Sequence, residues 1–237
     1  MIYVMSDIHG NERRFNSIMK QIDLRPEDTL YVLGDVVDRH PGGIRILRRI
    51  MAMPNAKMSL GNHEYMMLRA LGQPYDDFVD TGTAWEHWYR NGGKATYDHF
   101  KYLRKTMRQE IIDWIRALPV GIDIEVNGIC YRLAHAAPAD GYQGEERYRN
   151  PSYYAVWKRF EDDYVVPGEG ILVFGHTPTD EYQKNKPMEL WYGTRKIGID
   201  CGSGYAESGP ESGYGRLACL RLDDGKVYYS EERSHDH

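Results

Sequence analysis

Ile2-Tyr3-Val4-Met5-Ser6-Asp7-Ile8-His9-Gly10 is a short apolar run that breaks into an acid, an imidazole and a glycine. The pattern then repeats. Thr29 to Leu33 runs into Gly34-Asp35-Val36-Val37-Asp38-Arg39, and Lys57 to Leu60 runs into Gly61-Asn62-His63-Glu64. Ile129 to Leu133 precedes His135, and Ile171 to Phe174 ends in Gly175-His176-Thr177. Between the early runs, Phe15-x-x-Ile18-Met19-x-x-Ile22 and Ile44-x-Ile46-Leu47-x-x-Ile50-Met51 are spaced for one buried helix face, with Pro26 and Pro54 closing them. Strands alternating with amphipathic helices predict an α/β layered fold, in which polar groups just past the strand ends build the site.

Farther along, residues 75–118 carry Trp85, Trp88 and Trp114 at helical spacing and read as a helical insertion, its tryptophans packed in the core. Asn127-Gly128, between Val120–Val126 and Ile129–Leu133, has the chemistry of a tight hairpin turn. Asp224-Gly225 repeats it between Leu217–Leu222 and Val227–Tyr229, so the second half is richer in antiparallel strands. Residues 202–215, with several glycines, read as a solvent loop or as a lid. The polar tail from Ser230 to His237 reads as frayed, with His235 and His237 in it. No repeat or linker divides the chain, and residues 1–237 read as one domain.

At 237 residues and 41% hydrophobic the chain is neither disordered nor a mini-protein. With 30 basic against 35 acidic side chains, the net charge of -5 argues against a protein that grips nucleic acid by bulk charge. No apolar run approaches the roughly 20 residues that span a bilayer, and the first residues lack the features of a signal peptide. A cytoplasmic protein with no membrane partner is expected. Three cysteines without a CxxC suggest neither a disulfide framework nor a thiolate zinc site, whereas nine histidines beside carboxylates suit oxygen- and nitrogen-ligated metals.

Asp7 and His9 lie two apart at a strand end and can converge on one ion, while Gly10 permits a sharp turn. Such a pair alone is an ordinary turn. The ordered set of Asp7, His9, Asp35, Asn62, His135 and His176 supplies six groups able to hold two metals with one shared. A carboxylate bridges two ions about 3.5 to 4 Å apart where an amide or imidazole does not readily do so, which assigns the bridge to Asp35. Two divalent ions outweigh two aspartates, leaving a positive site that attracts a phosphate ester. A bridging water there is deprotonated near neutral pH, giving a nucleophile without serine or cysteine. His63 is the candidate proton donor, or else a seventh ligand or a loop histidine. Asp38 either orients His63 or pairs with Arg39, and Arg39 either clamps phosphate oxygens or is solvated.

These motifs resemble those of the PPP-type serine/threonine phosphatases within the calcineurin-like metallophosphoesterases, most closely the small bacterial and phage members. The resemblance extends through Trp88-x-x-Asn91-Gly92-Gly93-x-x-Thr96, His135, Trp157-Lys158-Arg159, Gly175-His176-Thr177-Pro178 and Ile199-Asp200-Cys201-Gly202. It implies two β-sheets packed as a sandwich and flanked by helices. It also implies one metal on Asp7, His9 and Asp35, and a second on Asp35, Asn62, His135 and His176. His63 is then the general acid held by Asp38, with Arg39 and a later arginine, Arg159, on the phosphate; otherwise Arg159 is an exposed helix residue. Ser6 and His40 stand where the family motifs have glycine, and His135-Ala136-Ala137 replaces His-Gly-Gly or His-Ala-Gly.

The expected activity is two-metal hydrolysis of phosphomonoesters, with phosphoserine or phosphothreonine in proteins as first substrate. The metals would be drawn from Mn, Fe, Zn or Co, with Mn expected in vitro. A symmetrical dinucleoside polyphosphate hydrolase is the alternative enzyme, and a silent metal-binding scaffold the alternative outside enzymology. Asp38-Arg39 and Glu64 favour the protein phosphatase.

Overall fold

A computed structural model describes residues 1–76, 82–205 and 214–231. Strands β1 (Ile2–Met5), β2 (Thr29–Leu33) and β3 (Ala56–Ser59) pair in parallel. Helices α1 (Glu12–Ile22) and α2 (Gly43–Ala52) connect them. Asn11 caps α1 by accepting the Arg14 amide. Asp23, with φ 44°, ends α1 by donating its amide to Met19 O, so the helix stops before Pro26 acts. Helix α2 does run up to Met53, the residue that Pro54 holds extended.

After β3 come α3 (Asn62–Ala70), α4 (Ala84–Arg90), α5 (Gly93–Phe100) and α6 (Lys105–Arg116). The chain then forms β4 (Gly121–Val126) and β5 (Ile129–Ala134), joined through Asn127 and Gly128, both at positive φ as the turn chemistry demands. Helix α7 (Pro151–Trp157) and strand β6 (Ile171–Phe174) follow. The last strands are β7 (Trp191–Gly193), β8 (Lys196–Gly198), β9 (Ala218–Arg221) and β10 (Val227–Tyr229). One sheet has the order β10-β9-β1-β2-β3 and the other β4-β5-β6-β8-β7. Both are mixed: the first is parallel from β1 through β3 and antiparallel through β9 and β10, and the second has a parallel centre with antiparallel edges.

Strand periodicity sorts the core into layers. Val4, Tyr31 and Leu33 turn toward Leu133, Val173 and Ile199 of the second sheet, forming the centre of the sandwich. Their neighbours Tyr3, Met5, Leu30 and Val32 face the opposite way and pack on Phe15, Ile18, Ile46, Leu47 and Ile115 of the helices. On the far side, Leu172 and Phe174 pack on Tyr154, Phe160 and Trp191. A slip of one residue in β2 would exchange its two faces, and because both are buried the register is tightly specified.

The short β7–β8 hairpin is absent from the sequence reading because its turn, Thr194-Arg195, carries no glycine or asparagine; Arg195 itself adopts φ 55°. The tryptophans also divide. Trp88 is fully buried and Trp114 half-buried, but Trp85 is 38% exposed, resting on Trp88, Tyr89 and Tyr97 instead of entering the core. The ends of the 202–215 stretch meet where Gly202 bridges Arg216, while 206–213, and with them the lid reading, lie outside the described residues. His235 and His237 lie outside them as well. Cys130, Cys201 and Cys219 are free thiols. No helix among the described residues is long and apolar enough to cross a membrane.

Candidate metal centre

Asp7 and His9 follow β1, Asp35 and Asp38 follow β2, Asn62 and His63 begin α3 after β3, His135 follows β5, and His176 follows β6. All eight are buried. The loops are locked to one another through the backbone: His9 N donates to Asp35 O at 2.9 Å, Gly10 N to Val36 O at 2.7 Å, and Gly175 N to His135 O at 2.8 Å. Asp7, His9, Asp35, Asp38, Arg39 and His176 all have φ between 51° and 72°. L-residues avoid that region, and strained backbone of this kind collects where a loop must aim a side chain.

Asp35 lies between two groups of donors. Its Oδ2 is 3.7 Å from His9 Nε2 and 3.7 Å from His63 Nε2, while its Oδ1 is 3.4 Å from His135 Nε2. Asn62 Oδ1 sits 2.8 Å from His135 Nε2 and 2.9 Å from His176 Nδ1. Donor atoms of His9, Asp35 and His63 lie within 4.8 Å of one another, as do those of Asp35, His135 and His176. Asp7 is at the edge of the first group: its Oδ1 is 3.8 Å from His9 Nε2, and its Oδ2 lies 2.5 Å from Ser6 Oγ and accepts the His176 amide at 3.0 Å. Ser6 thus fills the place of the motif glycine with a hydroxyl on Asp7. Gly175 has no such latitude, because a Cβ there would come within 2.1 Å of both Asp7 Oδ2 and Ser6 Oγ.

The donor chemistry fits cations. His9 Nδ1 faces Val37 O at 3.2 Å and His135 Nδ1 faces Leu33 O at 2.7 Å. A carbonyl only accepts, so each Nδ1 carries the ring proton and each Nε2 turns a lone pair inward, toward carboxylate and amide oxygens that are also electron-pair donors. A positive ion reconciles such a set. The scaffold alone does so by neutralising itself: burial pushes Asp7 up to about 6 and Asp35 up to about 7 and drives His9, His135 and His176 below the usual imidazole range.

A sequence profile of the calcineurin-like phosphoesterases matches residues 1–202. The chain belongs to this family. It is 34% identical over 192 residues to serine/threonine-protein phosphatase 2 of Escherichia coli strain K12, covering 77% of this chain and 82% of that one. It is 29% identical over 147 residues to a symmetrical bis(5'-nucleosyl)-tetraphosphatase of Aromatoleum aromaticum, covering 61% of this chain and 46% of the other. The chain therefore spans less than half the length of that tetraphosphatase. A metallophosphoesterase structure from Sphaerobacter thermophilus superposes with a TM-score of 0.55 at 17% identity, covering 98% of this chain and 89% of that one, and shares the fold.

This calcineurin-like phosphoesterase, a metal-dependent phosphoric ester hydrolase by family, adds a buried dyad to the cluster. His63 Nδ1 lies 2.7 Å from Asp38 Oδ2. The Asp38 carboxylate also accepts Trp88 Nε1 at 2.8 Å and Thr96 Oγ1 at 2.6 Å. Burial pushes Asp38 up to about 7, opposed by Thr96 and Trp88, and pushes His63 down to about 4. The indole N–H can only donate, and the Thr96 hydroxyl donates as well, so these bonds favour the ionised carboxylate with the proton on His63 Nδ1. Among the described residues Asp38 makes no ion pair with Arg39. Arg39 is exposed, its guanidinium lying over the backbone of Gly204, where a Cβ would come within 2.6 Å of Nη1 and 2.5 Å of His9 Cδ2. Arg159 is at the rim, 2.5 Å from Glu181 Oε1, with Nη2 3.5 Å from His176 O.

Four residues quoted in the motifs had no part in the site assigned from sequence. Glu64, fully buried, accepts the amides of Asp35, Val36 and Val37 at 2.8, 2.8 and 3.2 Å, and so shapes the turn that carries Asp35. Trp88 and Thr96 hold Asp38. Asp200 is buried within the field of Asp7 and accepts the Gly202 amide at 2.9 Å. The signal for Glu64 was its place at the start of a helix beside a ligand-rich loop; the Trp88 and Thr96 bonds are long-range and left no local trace.

Proposed function

We propose that this phosphoesterase hydrolyses phosphomonoesters, with phosphoserine or phosphothreonine in proteins as its first substrate class. The observation that carries the reading is the Asp38–His63 dyad, buried and turned so that His63 Nε2 faces Asp35 at the centre of the donor cluster. Asp7, His9 and Asp35 would hold one divalent ion, and Asp35, Asn62, His135 and His176 the other, Mn²⁺ being the expected ion in vitro. When bound, the ions bring positive charge to the phosphoryl oxygens and lower the pKa of coordinated water toward about 7.

His63 would act as the imidazolium, which ionised Asp38 favours against the burial that lowers it: its Nε2 proton passes to the departing oxygen as the P–O bond breaks, while water supplies the oxygen that joins phosphorus on the opposite side and releases a proton that restores the imidazolium. Asp38 stabilises the imidazolium and fixes its ring. Asp7 completes the first ligand group without His63, which frees that imidazole for proton transfer. Arg39 projects beside His9, and Arg159, paired with Glu181, reaches the His176 carbonyl, so their guanidiniums would flank a phosphoryl group held between those histidines.

Protein substrates are favoured because the relative named as a serine/threonine phosphatase matches along most of both chains. The second reading, a symmetrical dinucleoside tetraphosphatase, is supported by a match that covers less than half of that relative. Assays with a phosphoserine peptide and diadenosine tetraphosphate, each with Mn²⁺, separate them. His63→Asn should retain both metals and lower turnover of the preferred substrate about 10²- to 10⁴-fold. Undiminished turnover, or loss of a metal in that variant, would overturn the proton-donor assignment.

A further inference from the structure

Helices α4 and α5 lie between the two halves of the sandwich in sequence, and no proposed metal ligand comes from either. They nevertheless reach Asp38 and its neighbour Arg39. Trp88, from α4, donates its indole N–H to Asp38 Oδ2, the same oxygen that faces His63 Nδ1. Thr96, from α5, accepts the Asp38 backbone amide at 2.7 Å and returns its hydroxyl proton to Asp38 Oδ1 at 2.6 Å. The carbonyl of Gly92, at their junction, accepts the Arg39 amide at 3.2 Å.

The fit is tight. Trp88, Thr96 and Asp38 are each at most 1% exposed. A Cβ on Gly93 would come within 2.4 Å of the Trp88 ring, so glycine is what lets the indole lie against the start of α5 and aim its nitrogen at the carboxylate. Asp38 itself stands at φ 72°. The closed pair of bonds with Thr96 offsets the cost of that conformation and fixes the carboxylate relative to its own backbone. Every donor on Asp38 favours its charged form.

We infer that Trp88 and Thr96 are positioning residues for proton donation by His63, and that the α4–α5 segment serves the chemistry by holding Asp38 ionised and in one orientation. The inference rests on the reading of His63 as the proton donor. A residue that acts through proton donation matters in proportion to how badly the departing oxygen needs a proton, whereas a merely structural residue affects all substrates alike.

The test is a leaving-group series, from p-nitrophenyl to phenyl to p-methylphenyl phosphate, which is independent of the physiological substrate. It is run with Mn²⁺ on the wild type and on His63→Asn, Thr96→Val, Thr96→Ser and Trp88→Phe, alongside metal content and melting midpoint. Thr96→Val and Trp88→Phe should lose less than about 3-fold in kcat on p-nitrophenyl phosphate and about 10- to 30-fold on p-methylphenyl phosphate, a fraction of the full general-acid effect. KM and metal content should stay unchanged, and Thr96→Ser should restore the wild-type slope. Thr96→Val is nearly isosteric and keeps the test alive if Trp88→Phe fails to fold. If His63→Asn steepens the leaving-group dependence while Thr96→Val does not, the positioning role is overturned and the proton-donor reading stands. If His63→Asn leaves the slope unchanged, both fall.

Discussion

At the scale of single residues, the centre is a set of acids and imidazoles that the scaffold discharges. Burial raises Asp7 to about 6 and Asp35 to about 7, so each tends to hold a proton where an exposed aspartate would not. A cation held by these carboxylates would bind the ionised form and have to displace that proton. Its affinity therefore weakens as pH falls through about 7 and then about 6, and levels off above about 7. The imidazoles, already held neutral by burial, compete less. Titration calorimetry with Mn²⁺ should show tighter binding at about pH 8 than at about pH 5 and net proton release, read from the buffer dependence of the heat. Affinity independent of pH would mean that these carboxylates are not the ligands.

At the scale of elements, α3 ties β2 to β3 at the ends that carry the site. The His63 amide, in its first turn, donates to Asp35 Oδ1 at 3.0 Å, the use of a helix N-terminus to hold an anion. Glu64, one residue on, gathers three amides of the β2 loop. Removing it strands buried N–H groups, and each unsatisfied donor costs about 1 to 3 kcal/mol. Glu64→Gln, which turns an NH₂ toward the Asp35 amide, should cost about 1 to 3 kcal/mol and Glu64→Ala more, measured by urea denaturation of metal-stripped protein. A change below about 0.5 kcal/mol in Glu64→Ala, the size expected of an ordinary surface substitution, would show that these bonds do not hold the turn.

At the scale of the whole molecule, the two sheets meet at the candidate metal centre, since Asp7, Asp35 and Asn62 come from the first sheet's loops and His135 and His176 from the second's. Ions held there would link the halves and bind only the folded form. At a free concentration 100 times the dissociation constant, each adds about 2.7 kcal/mol. Chelation should therefore lower the melting midpoint by several degrees, and readdition of Mn²⁺ should restore it; an unmoved midpoint would argue against ions bound across the sheets. The strands that end in motif residues were legible in sequence because apolar runs broke into polar clusters, and the β4–β5 hairpin because its turn demands positive φ; at the β9–β10 turn only Gly225 adopts it, and residues 222–226 form a longer connection. The β7–β8 hairpin was not, since Arg195 adopts its positive φ without glycine. Nor were the bonds from Trp88 and Thr96 to Asp38, 50 and 58 residues away, which depend on how α4 and α5 pack and not on any local pattern. One feature of the loops also bears on how such a chain responds to selection. Six of the residues at and beside the centre hold φ values that glycine would adopt without strain, each costing on the order of 1 to 3 kcal/mol, against a net stability of about 5 to 15 kcal/mol for a whole domain. Breeding this protein for heat resistance alone would therefore pull Asp7 and Asp35 toward glycine, and only a simultaneous demand for turnover would keep them acidic.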